Sequence, residues 1–107
     1  MTFLNDLEEY IGDEQVSSIV IGEMGWDHYN EVGKEISSDL KGFLLNWDEA
    51  RPLLNYEYDS SYGVPECHSV YIWTKSRVIF VAQYDGSTSI TSVPRDPIAV
   101  IPEMPGG

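Results

Sequence analysis

Between His68 and Val93 the chain runs through three stretches rich in Val, Ile, Tyr, Trp, Phe and Thr, joined by the dipeptides Lys75-Ser76 and Asp85-Gly86. Asp-Gly between two alternating apolar runs is a strong hairpin signal, because both central residues of the tight turn must accept positive φ. With two residues in each turn, the register follows by counting. Tyr84 then stands opposite Ser87, Val81 opposite Ile90, Trp73 opposite Val78 and Ile72 opposite Ile79. The expected unit is an antiparallel β-meander over about residues 68–93. This register separates Val70, Ile72, Ile79, Val81 and Ile90 from Tyr71, Trp73, Val78, Phe80, Tyr84 and Val93. Helices are expected to cover the aliphatic set. The aromatic set is expected to form core or semi-core, covered by the N-terminal part, the C-terminal tail or another element.

The segments around the meander carry helix and strand signals of their own. Thr2 can cap a helix whose apolar positions Phe3, Leu4, Leu7 and Ile11 share one face, with Gly12 as its stop. The β-branched run Ile19-Val20-Ile21, bounded by Gly22, suits a buried strand within 15–24. A second helix is expected from Asp27 to Lys41, where Val32, Ile36 and Leu40 recur every four residues. Gly33 opposes it by about 1 kcal/mol relative to Ala. Phe43-Leu44-Leu45 reads as a short strand. Asn46 and Glu49 form the pattern of a capping box opening a helical turn, which Pro52 is expected to limit or kink. From Pro94 onward the prolines at 94, 97, 102 and 105 bar a central strand. Residues 94–107 are therefore expected to wrap along the surface, anchored by Ile98, Val100 and Ile101. Together these signals predict one α+β domain over residues 1–107: the meander, one or two further short strands, and short helices packed on one face.

Charge narrows the functional classes. The 107 residues hold 18 acidic and 6 basic side chains, a formal charge of −12. Residues 1–66 carry 15 acids and 3 bases, whereas residues 67–107 carry 3 of each. Such a field repels nucleic acid and anionic lipid, whose binding needs Lys and Arg. It attracts basic partners and speeds their encounter, an effect that salt weakens. The 12% aromatic content argues against a disordered acidic tail. The beginning of the chain lacks the basic and apolar regions of a signal peptide, and the longest apolar run, Val78 to Ala82, falls far short of a membrane span. A cytoplasmic protein is expected.

Chemical motifs are sparse. Cys67-His68 pairs a thiol with an imidazole, but neighbours on a strand point to opposite faces, so a nucleophile is not expected. No HExxH, CxxC or calcium-loop pattern appears, and a lone cysteine builds no disulfide. The Asp59 and Asp85 loops each offer one local carboxylate and read as turns. No serine elbow, phosphate loop or dinucleotide fingerprint is present. The expectation is a non-enzyme with no cofactor, no metal and no catalytic residues.

The remaining pattern is acidic. Glu23, Asp27, Glu31, Glu35 and Asp39 recur every four residues, so on a helix the later members form a ladder beside the Val32/Ile36/Leu40 stripe. Like charges at that spacing cost a few tenths of a kcal/mol per pair, which invites a functional explanation. A second group, Tyr56-Glu57-Tyr58-Asp59, interleaves tyrosine with carboxylate, a composition suited to recognising basic proteins. The expected function is a small acidic binding protein that neutralises a basic partner. Such a protein could be an immunity protein for a toxin nuclease, or an inhibitor of a DNA-binding enzyme that mimics nucleic acid. The expected contact residues are Glu23, Trp26, Asp27, Glu31, Glu35, Asp39, Glu57, Tyr58 and Asp59. The alternative is a small-ligand-binding or enzymatic domain that uses the aromatic sheet face as a pocket wall.

Overall fold

A computed structural model of the chain describes residues 2–25, 36–61, 63, 65–84 and 86–104. Within them lie two short helices and four strands: α1 (Phe3–Ile11), β1 (Val16–Met24), α2 (Trp47–Leu54), β2 (His68–Thr74), β3 (Arg77–Tyr84) and β4 (Ser87–Pro94). The strands form one antiparallel sheet in the order β1-β2-β3-β4, so the architecture is the expected α+β.

The counted register holds. Tyr84 pairs with Ser87 and Val81 with Ile90, while Ile72 pairs with Ile79 and Trp73 with Val78. Gly86 takes φ 84°, as a two-residue turn requires; Asp85 itself lies outside the described residues. β1 adds a further strand on the free side of β2, with Ile19 opposite Ile72 and Ile21 opposite Val70.

Helix α1 begins where Thr2 accepts a hydrogen bond from the Asn5 N–H at 3.0 Å, satisfying one of the orphan donors of the first turn. It buries Phe3, Leu4, Leu7 and Ile11 against the aliphatic sheet face. Helix α2 begins with the reciprocal capping box, Glu49 N–H to Asn46 and Asn46 N–H to Glu49, at 2.8 and 3.1 Å. Pro52 does not stop this helix, which continues to Leu54. The proline forfeits only one intrahelical bond, and burial of Ala50 and Leu54 in the core holds the remaining turn in place. Phe3, Leu7, Ile19, Ile21, Leu54, Ile72 and Ile79 are essentially inaccessible to solvent and form the centre of the core.

Other expectations need correction. Residues 38–42 form turns rather than the end of a helix: Leu40 N–H bonds the Ser37 carbonyl and Phe43 N–H bonds that of Leu40, both three residues back. Residues 26–35, the rest of the expected helix, lie outside the described residues. In place of a strand at Phe43-Leu44-Leu45 there is a single bridge. Leu45 exchanges two backbone hydrogen bonds with Ile19, at 2.8 and 3.0 Å, while Phe43 and Leu44 face solvent.

The aromatic face is largely open. Trp73, Val78 and Phe80 are half-buried by their neighbours, but Tyr71 is 57% exposed and Val93 48%. The semi-core expectation thus holds for the first three and fails for the last two. The C-terminal segment leaves this face uncovered too. Its root is held by polar contacts, Arg95 donating to the Thr74 carbonyl at 2.8 Å and, through its backbone, to that of Ser76 at 3.0 Å. Ile98, Val100 and Ile101, the expected anchors, are exposed instead.

Candidate functional site

Helix α1 sets its apolar stripe into the core and thereby turns Asp6, Glu9 and Tyr10 toward the outer surface near β4. The segment after α2 returns beside the beginning of this helix. Phe3 N–H donates to the Tyr56 carbonyl at 2.9 Å, and Thr2 bridges Glu57. That return brings Tyr58 against Phe3, ring edge to ring face at 5.2 Å, and its hydroxyl donates to Asp6 at 2.5 Å. Burial, reinforced by the Asp6 carboxylate, pushes the Tyr58 phenol above its ordinary range. Tyr10 is fixed from its other side: its hydroxyl pairs with Ser92 at 3.0 Å and the Arg77 guanidinium lies 4.9 Å from its ring centre.

The result is a surface groove of about 450 Å³ between α1 and β4, lined by Asp6, Glu9, Tyr10, Tyr58, Ser60 and Ser89 among others, with no basic side chain among the described residues of its walls. On the other flank of α1 a second groove of about 480 Å³ has Glu8, Glu14, Trp47 and Asp48 in its walls. Two of those carboxylates are already engaged. Glu8 pairs with Arg51 at 3.1 Å and Glu14 with Arg77 at 2.6 Å. The α1–β4 groove is therefore the better candidate for receiving external cations: carboxylates supply charge-assisted hydrogen bonds, and tyrosine faces accept the flat side of a guanidinium.

The expected contact residues fall into three groups. Glu57, Tyr58 and Asp59 do come together with the beginning of α1. Tyr58 lines the groove, Glu57 is exposed beside it, and Asp59 organises the adjoining turn. Ser61 donates to Asp59 through both hydroxyl and backbone N–H, which lowers the carboxyl's pKa. Glu23 and Asp39 stand apart from that group, Glu23 paired with Lys41 at 3.1 Å and Asp39 exposed in a turn. Trp26, Asp27, Glu31 and Glu35 lie outside the described residues.

Asp6 and Glu9 are not among the expected contact residues; their three-residue spacing puts them on one face of α1, but only tertiary structure places Tyr58 beside them.

Other chemistry finds little support. Cys67 and His68 are both buried, and the His68 ring is held by the Tyr56 hydroxyl at 2.8 Å from Nδ1. Among the described residues no group of three or more His, Cys, Asp or Glu side chains is arranged to hold a metal ion, and no helix is long and apolar enough to cross a membrane. The cleft on the aromatic sheet face, bounded by Val20, Tyr71 and Phe80, measures about 220 Å³. Small-molecule sites usually enclose at least about 300 Å³. Comparison of the chain with protein-family models, with curated proteins and with solved structures finds no match in any of the three.

Proposed function

We propose that this chain is a small acidic binding protein that neutralises a basic partner protein, and that the α1–β4 groove receives the partner's Arg or Lys side chains. An immunity protein for a toxin nuclease, or an inhibitor that occupies the phosphate-binding surface of a DNA-binding enzyme, fits this description. The observation that carries the reading is the groove's composition. Asp6 and Glu9 stand with Tyr10 and Tyr58 and, among the described residues, no basic side chain, on a chain of charge −12. Among the described residues, Lys41, Arg51 and Arg77 are engaged in ion pairs with the chain's own acids, and the charge of Arg77, which also lies over the Tyr10 ring, is offset there by Glu14. Rigid tyrosines beside carboxylates add contact area at low entropic cost, and the field raises the association rate.

The experiment is affinity capture of interacting proteins from the source cell at about 50 mM and about 500 mM salt, with duplex DNA as competitor. A basic protein retained at low salt, released at high salt and displaced by DNA is the expected result. Capture of acidic or neutral proteins only, insensitive to salt, overturns the reading.

A further inference from the structure

We infer that two copies of this chain associate through the aromatic sheet face, with segment 96–104 of each copy laid across the face of the other. The face presents Val20, Tyr71, Trp73, Val78, Phe80 and Val93; Tyr84 falls on it by register, Glu23 stands at its corner in the β1 bulge paired with Lys41, and Ser, Thr, Gly and Ala occupy the positions between. Apart from that paired corner, the described positions of the face carry no charge, on a chain of −12. A basic partner has nothing to recognise there. A second copy, itself strongly negative, meets the least repulsion by approaching through this surface.

The area argument brings in the segment. Four strands spaced about 4.8 Å apart, each about 7 residues long at about 3.4 Å per residue, give a footprint of roughly 460 Å². A stable interface buries about 800 Å² per partner. An extended arm over residues 96–104 spans roughly 30 Å and covers roughly 300 Å² of the partner's face; with each copy's own face covered likewise, roughly 600 Å² is buried per copy, the lower end of a specific interface. The arm is suited to the task. Ile101 is 88% and Met104 93% exposed, with Ile98 and Val100 exposed beside them. Arg95 fixes the root of the arm at the sheet end, where Trp73, Val78 and Val93 lie side by side. Prolines at 97 and 102 keep it extended and limit the entropy lost on docking. Exchange of identical arms between copies closes a two-fold dimer.

Sedimentation equilibrium on the full chain tests this. The wild type is expected to form a dimer that tightens as salt rises, because screening removes repulsion between like-charged copies. Binding of a basic partner has the opposite salt dependence, so failure here and failure of the proposed function are distinguishable. Tyr71→Lys with Val93→Lys introduces charge at two exposed positions, and is expected to yield a monomer whose circular dichroism spectrum and melting profile match the wild type. Ile98→Ser, Ile101→Ser and Met104→Ser together are expected to weaken dimerisation at least tenfold. A wild type that stays monomeric to millimolar concentration overturns the inference, and so does a dimer indifferent to either set of substitutions. A monomer in which the arm closes on its own face, seen as a Trp73 fluorescence change lost in the arm variant, also overturns it.

Discussion

Arg77 and Glu14 meet across 63 residues of chain, Nε to Oε2 at 2.6 Å. The same guanidinium donates through Nη2 to the carbonyls of Tyr10 and Ile11 at 2.8 and 3.1 Å. Helix α1 has no basic residue in its own last turn, so a side chain from β3 supplies the positive charge that its exposed carbonyls require. The hydroxyls of Ser76 and Thr74 also donate to Glu14, and these bonds, with Arg77, hold its pKa down at about 2. One carboxylate thus ties the end of the helix to the β2–β3 turn.

The first prediction is a pH dependence. The folded pKa of Glu14 lies below its ordinary value of 4.5, so its contribution to stability is fully present above that value. It is lost as pH falls toward about 2. Denaturant midpoints measured between pH 6 and pH 2 should fall more steeply for the wild type than for Glu14→Gln. Parallel curves would show that the contacts around Glu14 contribute nothing.

Arg77→Ala should destabilise the fold by about 1–3 kcal/mol, because two helix-terminal carbonyls and one carboxylate lose a charged donor. Arg77→Lys should recover only part of this, since an ammonium cannot reproduce the planar fork. Urea unfolding of the two variants checks both statements, and a loss below about 0.5 kcal/mol for Arg77→Ala would contradict the first.

What could be read in the sequence divides along contact distance. The Asn46–Glu49 box, the Thr2 cap and the meander register are relations among close neighbours, and counting recovers them. The Arg77–Glu14 link and the Tyr58–Asp6 bond join residues 63 and 52 apart, and no local pattern announces either. The four-residue acidic spacing shows the limit of local pattern. Periodicity states what a helix would present, and at its described end Leu40 closes a turn onto Ser37 instead, while Asp27, Glu31 and Glu35 lie outside the described residues. The aromatic alternation correctly sorted the residues into two faces, but alternation alone does not say which face finds a cover.

Gly25 combines φ 58° with a close approach. A Cβ built there would lie 2.7 Å from the Pro65 carbonyl oxygen, while its own N–H donates to Cys67 at 2.8 Å. Gly25→Ala therefore meets backbone strain and a clash that no rotamer relieves. A loss of about 1–3 kcal/mol in thermal or chemical unfolding is expected. Unchanged stability would mean that the chain after β1 can shift without cost.

Cys67 lies in the core at 1% exposure, where it packs as a small apolar side chain. Cys67→Ser should lower stability by about 1–3 kcal/mol by burying a hydroxyl in place of the thiol. It should leave partner affinity intact, since a buried core thiol cannot touch a partner. Loss of binding in a variant shown to be folded would reassign the Cys67-His68 pair to function.

The last prediction separates the groove from the field. Glu9→Lys, Glu57→Lys and Asp59→Lys alter charge at the α1–β4 groove and its flank. Glu31→Lys, Glu35→Lys and Asp39→Lys alter the four-residue series, and Glu8→Lys, Asp13→Lys and Asp48→Lys alter acids outside the α1–β4 groove. Each set changes net charge equally, so a purely long-range field slows association equally in all three. If the groove is the contact surface, its set should slow association by about tenfold more than the third and flatten the salt dependence. Circular dichroism on each set checks that the fold is intact before the rates are compared; charges at solvent-exposed positions contribute little to stability. A larger effect from the Glu31/Glu35/Asp39 set would move the contact surface to that series. No effect from any set would leave the carboxylates a role in solubility alone and remove the main support for a basic partner.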